Sequence, residues 1–273
     1  MGSRPIRIVS DVHYGDRSSR VRSLAQMRPL LDGAGSLVLN GDTLDTRPDR
    51  NHARTEERRR EVLEFFGSCG VPVTFLTGNH DPDMSRQHEL GLEGGRILVT
   101  HGDILFESIV PWSQDAAMIR SRVIAALAAA PDDGTCGLES RLSVFRSVAG
   151  SIPQRHQSER DPLRYAIRLA GDTVWPPDRA LKILRAWREA PGRAAALARR
   201  HRPKARFVLI GHTHKPGVWK MASGLVVINT GSFSQPFGAL VAEVDSGGIR
   251  VRRVEHRRGE FFPGRTVSEF PLP

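Results

Sequence analysis

Cysteine is almost missing from this chain of 273 residues: there are two, Cys69 and Cys136, and no CxxC pair. That leaves no disulfide framework and no thiolate metal site, and it suits a reducing compartment. Long apolar runs are missing too, since none approaches the roughly 20 residues that span a bilayer. The N-terminal stretch MGSRPIRIVSDVH is basic but has no signal-peptide apolar core. Export is therefore not expected, and the expected location is the cytoplasm. The third absence is a recognisable nucleic-acid-binding motif.

What remains is the composition of a globular protein, 39% apolar and 26% charged. The length suffices for one large domain or two smaller ones. The formal charge of +10 is unevenly placed: between Ile104 and Arg206, 18 Lys/Arg stand against 10 Asp/Glu, an excess of 8. A basic excess attracts phosphate esters, nucleic acids and acidic membranes. Equally, arginine is a good helix former on solvated faces.

The first hundred residues alternate between two periods. Short aliphatic runs, IRIVSD, SLVLNGD, VPVTFLTGNHD and GRILVTHGD, each end in a polar cluster. Between them, helices are predicted from about Ser18 to Leu31 and from about Arg54 to Phe66. Such alternation argues for a layered α/β core with parallel strands. From about Ser113 to His201 the sequence turns helical and rich in Arg and Ala, punctuated near Pro131, Pro153, Pro176 and Pro191. Ser158 and Asp161 form a predicted capping box for a helix carrying Leu163, Ile167 and Leu169. Strands resume at RFVLIGHTH, LVVINTGS, ALVAEVD and IRVRRVEH, a predicted meander completing a second sheet, and the tail FFPGRTVSEFPLP is expected to be turn-rich. The expected division is a core of residues 1–106 and 205–273, with a helical cap over 107–204.

Each core strand ends in residues able to hold a metal: Asp11 and His13; Asp42 and Asp45; Asn79 and His80; His101; His212 and His214. Taken singly, each cluster reads as turn chemistry. In extended chain, however, residues i and i+2 point the same way, so Asp11 with His13, and His212 with His214, can converge. Loops at the carboxyl ends of parallel strands gather in one crevice. There Asp11, His13, Asp42, Asn79, His101, His212 and His214 make seven oxygen and imidazole ligands. That is too many for one tetrahedral zinc and suits two divalent ions such as Mn²⁺, Fe or Zn²⁺.

The order Asp-x-His, Gly-Asp-x-x-Asp, Gly-Asn-His-Asp, His-Gly-Asp, Gly-His-x-His resembles the calcineurin-like metallophosphoesterase family, over nearly the whole chain. The resemblance implies a four-layer αββα sandwich with a helical cap insertion and a dinuclear site with Mn²⁺ as the leading metal. It implies that Asp11, His13, Asp42 and His214 bind one ion, and Asp42, Asn79, His101 and His212 the other. His80 would contact the phosphate and protonate the leaving oxygen, with Asp45 orienting it. Two such ions clamp a phosphoryl group and activate water for attack on phosphorus.

The substrate is less sharply indicated. The helical insertion between His101 and His212 is similar in position to that of UDP-2,3-diacylglucosamine hydrolases, which implies a nucleotide-sugar or lipid-linked phosphodiester or pyrophosphate. Those enzymes carry Gly-Asn-Arg-Asp where this chain has His80. Arg155, Arg160, Arg164 and Arg168 are candidate contacts for an anionic substrate; as a solvated face they need no such role. Trp112, Trp175 and Trp187 can stack on a base or sugar, or simply pack. A nuclease and a non-catalytic metal-binding scaffold are the alternatives. Peripheral membrane contact would require an apolar helix face beside the arginines.

Overall fold

The computed structural model describes residues 4–49, 51–129, 137–154 and 178–272. Arg155, Arg160, Arg164, Arg168, Trp175, Cys136 and the capping box at Ser158 lie outside the described residues.

Successive side chains of a strand face opposite ways. In β2 (Ser36–Asn40) both faces are apolar, and in β1 (Ile6–Val9) the one charge, Arg7, is buried against Glu243 at 2.9 Å, so each strand is covered on both sides. Ile8 and Val38 enter one apolar cluster, whereas Val9, Leu37 and Leu39 enter another. With β3 (Val73–Leu76), these strands form the parallel part of a six-stranded sheet. The second sheet has five strands, in the order β4 (Glu89–Leu92), β5 (Ile97–Thr100), β6 (Phe207–Ile210), β8 (Val226–Asn229) and β7 (Gly217–Lys220). There β5, β6 and β8 run parallel, with antiparallel edges on both sides.

Between the sheets, Ile8, Val38 and Leu76 of the first meet Val99, Leu209 and Ile228 of the second. On the outer face of the first sheet lie α1 (His52–Gly67), through Val62 and Phe66, and a 3-10 segment (Leu24–Leu30). On the outer face of the second, α4 (Asp178–His201) lays Ala186, Ala190, Ala194 and Ala198, spaced every fourth residue, against Leu98, Val208 and Val227. Alanine at that spacing presents one smooth stripe and lets the helix approach the sheet closely. The result is helix, sheet, sheet, helix. Helices α2 (Ala116–Ala129) and α3 (Leu138–Gly150) share a smaller core of their own, in which Ile119, Val123, Leu142 and Phe145 surround Ile109.

The strands after Ala239 depart from the expected meander. β9 (Leu240–Asp245), β10 (Gly248–Arg257) and β11 (Glu260–Pro271) return to the first sheet, with β9 pairing antiparallel to β1. The tail is thus a strand of 12 residues rather than a set of turns. Pro263 is tolerated because β11 is an edge strand and the register shifts nearby. The helix expected over Ser18–Leu31 contracts to the 3-10 segment. Upstream of it, Arg20 donates its backbone N–H to Phe233 O at 2.9 Å, and the Ser19 hydroxyl bonds Val12 O at 2.7 Å. Tertiary bonds thereby claim the groups a helix needs. The short strands β4 and β7 lie in segments where no strand is expected from sequence, and α4 runs through Pro191.

Candidate metal centre

Five parallel strands deliver their carboxyl ends to one side of the sandwich. Asp11, Asp42 and Asn79 follow β1, β2 and β3; His101 and His212 follow β5 and β6. The chain turns there by an unusual route. Asp11 (φ 53°), His13 (φ 49°), Asp42 (φ 54°), His212 (φ 64°) and His214 (φ 59°) are all left-handed without being glycine. Such residues cost of order 1–3 kcal/mol each and persist only where surrounding bonds hold them. The bonds are present: Asp11 N–H reaches Gly41 O at 3.1 Å, His13 N–H reaches Asp42 O at 2.9 Å, and His212 N–H reaches the Asp11 carboxylate at 3.0 Å. Close approach also needs glycine, because a Cβ on Gly78 would strike the Asp42 carboxylate and one on Gly211 the Asp11 carboxylate.

The side chains converge in two groups, Asp11 with His13 and His214, and Asp42 with His101 and His212, the chosen ligand atoms of each lying within 4.8 Å of one another. Asp11 Oδ1 is 3.2 Å from His214 Nε2, which is 3.1 Å from His13 Nε2. Asp42 Oδ2 is 3.3 Å from His101 Nε2 and 3.8 Å from His13 Nε2, and so reaches toward both groups. Asn79 Oδ1 and His101 Nε2 are buried with no hydrogen-bond partner. Buried polar atoms left so exposed to loss of hydration are rare unless a ligand completes them. The donor set and these two orphaned atoms fit divalent cations.

The outer contacts fix which ring nitrogen is available. His101 Nδ1 lies 2.9 Å from Asn40 O, and His212 Nε2 lies 2.8 Å from Ile109 O. A carbonyl only accepts, so each of those nitrogens carries a proton, and the other ring nitrogen points inward. This is the way metal-binding histidines are commonly oriented. Burial, aided by His101, pushes the His212 imidazole down to about 3, so its ring is neutral at physiological pH. Burial also takes His13 down to about 4, with Asp42 opposing. Burial alone would raise the Asp42 carboxyl, but the imidazoles of His101, His80 and His13 outweigh it and hold it well below the usual carboxylate range.

Beside these groups stands a charged triad. His80 Nδ1 is 2.9 Å from Asp45 Oδ2, and Arg47 grips Asp45 with both Nε (3.0 Å) and Nη2 (2.7 Å). Nη2 also comes within 2.9 Å of His80 Nδ1. Burial opposes ionisation of Asp45, but Arg47 and then His80 outweigh it and hold the carboxyl far below its ordinary value. Asp81 accepts backbone N–H groups from Gly78 (2.7 Å), Asp42 (2.9 Å) and Thr43 (2.7 Å), tying the second and third strand-end loops together.

Three further anchors come from beyond the first hundred residues. The Ile109 carbonyl has been described; Ile109 is itself left-handed (φ 57°), rare for a β-branched residue, and its side chain sits in the core of α2 and α3. Gln154 Nε2 donates to Asp45 O at 2.9 Å and Arg47 O at 2.8 Å. Trp187 Nε1 donates to Thr213 O at 2.8 Å, between the two histidines of the last motif. All nine core residues singled out from sequence therefore come together. Asp81 stands in the Gly-Asn-His-Asp motif but was given no role there, and Arg47, Ile109 and Gln154 were missed. Of these three only Arg47 carries a local signal, as a charge two residues from Asp45; the other two act through long-range contacts.

The strand ends of this layered α/β fold thus converge on buried carboxylates and imidazoles with the chemistry to hold divalent cations. The sequence pattern of calcineurin-like phosphoesterases matches residues 4–216. The chain belongs to that family and is a metal-dependent phosphoric ester hydrolase. It is 25% identical over 232 residues to a UDP-2,3-diacylglucosamine hydrolase of Stenotrophomonas maltophilia (strain K279a), covering 79% of this chain and 84% of that protein. Similar solved structures include a dimetal phosphatase from Danio rerio, with 14% identity, a TM-score of 0.47, and coverage of 93% of this chain and 96% of that one. Another is Vacuolar Protein Sorting 29 from Cryptosporidium parvum, with 13% identity, a TM-score of 0.47 and full coverage of both chains.

Proposed function

We propose that the enzyme uses two divalent ions, Mn²⁺ foremost, to hydrolyse a phosphodiester or pyrophosphate bond in a nucleotide-sugar or lipid-linked substrate. The observation that carries this reading is Asp42 Oδ2, placed between His101 and His13 so that one carboxylate faces both ligand groups. The name of the Stenotrophomonas relative supports the substrate class. In this reading Asp11, His13, Asp42 and His214 hold one ion, and Asp42, Asn79, His101 and His212 the other. When bound, the ions supply charge against the phosphoryl oxygens and bring the pKa of water toward neutrality.

The chain's own residues do the rest. Asn40 O and Ile109 O hold the outer nitrogens of His101 and His212, which turns His101 Nε2 and His212 Nδ1 inward. Burial opposes charge on His101, but Asp42 outweighs it and holds that imidazole well above its ordinary range, so a cation binding there would have to displace the Nε2 proton. Asp45 accepts a hydrogen bond from His80 Nδ1–H and orients the ring, which leaves Nε2 to protonate the departing oxygen. Arg47 fixes Asp45 through two parallel bonds, so that acid and orienting group move as one unit.

The test is hydrolysis of a parallel panel by Mn²⁺-supplied protein: a UDP-acyl sugar, simple nucleotide diphosphate sugars, an aryl phosphodiester, an aryl phosphomonoester and single-stranded DNA. Turnover on a pyrophosphate, lost on adding chelator and restored by Mn²⁺, is expected. Preference for DNA, falling steeply with salt as phosphate-backbone binding does, would replace this reading with a nuclease. No turnover on any member with metal bound would leave a scaffold.

We further propose that the enzyme works in the cytoplasm and meets acidic membrane through the start of α4. Leu181 (68% exposed) and Leu184 (56% exposed) stand there among Lys182, Arg185 and Arg188. An apolar face flanked by basic residues is the pattern of an interfacial helix. Co-sedimentation with phosphatidylglycerol vesicles, weak with phosphatidylcholine, should disappear in the double variant Leu181→Glu, Leu184→Glu. Equal sedimentation of the variant rejects the surface.

A further inference from the structure

Beside the ligand groups the surface sinks into a pocket of about 150 Å³ whose composition changes abruptly from floor to wall. The floor is Asp42, Asn79, His80 and the chain from His212 to His214. The walls are Val110, Trp112, Ile183, Trp187 and Phe237, and none of them carries a charge. Trp112 lies with its ring 5.5 Å from the ring of His212, tilted by 38°. Phe237 stands edge-on to Trp187, centroids 5.6 Å apart at 86°, and 6.3 Å from the ring of His214.

These walls are held in place. The indole N–H of Trp187 is committed to Thr213 O at 2.8 Å, and the Lys215 ammonium sits 5.2 Å from the centre of the same ring. A large aromatic whose polar atom is already satisfied offers only its π surface to a ligand. The accessible space of about 150 Å³ is open on one side, so it admits at least one aromatic ring against these walls. An anionic group would meet the negative faces of three aromatic rings there, so the walls favour a group without negative charge.

We propose that this slot binds an uncharged, planar aryl ring carried by the substrate next to the scissile phosphoryl group, with Trp112, Trp187 and Phe237 as the residues that select it. The proposal rests on the phosphoesterase reading of the adjoining ligand groups and names the part of the substrate those groups do not touch. The ring enters between Trp112 and Phe237, and the phosphoryl group is left facing Asn79 and His80, which line the same pocket.

The experiment is calorimetric titration of the full-length, Mn²⁺-loaded protein with methylphosphonate, phenylphosphonate and octylphosphonate, none of which is hydrolysed. Burial of one ring predicts that phenylphosphonate binds about tenfold or more tightly than methylphosphonate, with octylphosphonate no better than phenyl. In Trp112→Ala and Phe237→Ala, checked for retained Mn²⁺, the phenyl advantage should shrink to about threefold or less. Equal affinity of the phenyl and methyl compounds overturns the slot and leaves the phosphoesterase reading standing. Tightest binding by octylphosphonate also overturns it, in favour of a chain-binding channel. If none of the three binds while Mn²⁺ is demonstrably present, the reading of the ligand groups fails together with the slot. The wild-type series decides the matter even if neither variant folds.

Discussion

Asp42→Asn is expected to lose both ions, not one. Its Oδ2 faces both groups, at 3.3 Å from His101 Nε2 and 3.8 Å from His13 Nε2. The amide keeps an oxygen for the His80 backbone N–H, which Asp42 Oδ1 accepts at 2.8 Å, so the loop bearing Asn79 and His80 keeps its tie. What is removed is the negative charge, in a place buried from water where charge is felt most strongly. Outer contacts alone are worth about 10–100-fold in metal affinity. Loss of a shared inner ligand should exceed that, with turnover falling by on the order of 10³ or more at micromolar Mn²⁺. Metal analysis after gel filtration, beside the activity, checks it. Two ions retained with activity within tenfold of wild type would mean that Asp42 is not shared.

His80→Ala is expected to do the reverse, keeping the metals and losing the acid. The ring lines the pocket but belongs to neither ligand group, and its Nδ1–H is engaged by Asp45. Deleting it leaves the carboxylate–guanidinium pair of Asp45 and Arg47 intact, so the loop has reason to stay where it is. General acid help is worth about 10²–10⁴ in rate. The loss should appear in full with alkoxide leaving groups and shrink with nitrophenolates, which depart without a proton. A series of diesters graded by leaving-group pKa therefore gives a steeper dependence in the variant. An unchanged slope with full metal content would remove His80 from proton transfer.

How far the sequence carries depends on whether a residue's partners lie near it along the chain. The strand-end clusters were legible because parallel strands put their carboxyl ends together whatever their order, so Asp11 and His214 meet although 203 positions separate them. The layered α/β core followed from short aliphatic runs alternating with helical segments, and the αββα sandwich from the family resemblance. The return of β9, β10 and β11 to the first sheet was not legible. Two hairpin-forming strands carry the same alternation whichever sheet edge accepts them, and only the match of Leu240–Asp245 to the open side of β1 decides it. The 3-10 segment at Leu24–Leu30 shows the other kind of miss. A helical apolar spacing was present, but Ser19 and Arg20 had been claimed by distant carbonyls and Pro29 lacked an N–H to give. Ile109 left no trace at all, because its role is performed by a backbone oxygen.

That oxygen bears on how proteins of this kind diversify. It would be natural to regard the segment after His101 as an exchangeable cassette, replaced to give an old reaction a new clientele. Here the cassette carries the Ile109 carbonyl that sets the proton on His212, the Gln154 amide that grips the loop of Asp45, and the Trp187 indole that pins Thr213. A chimera joined at the natural-looking seam would trade away parts of the reaction centre along with the recognition surface. Productive recombination would have to leave those three attachments in place and vary only what hangs between them.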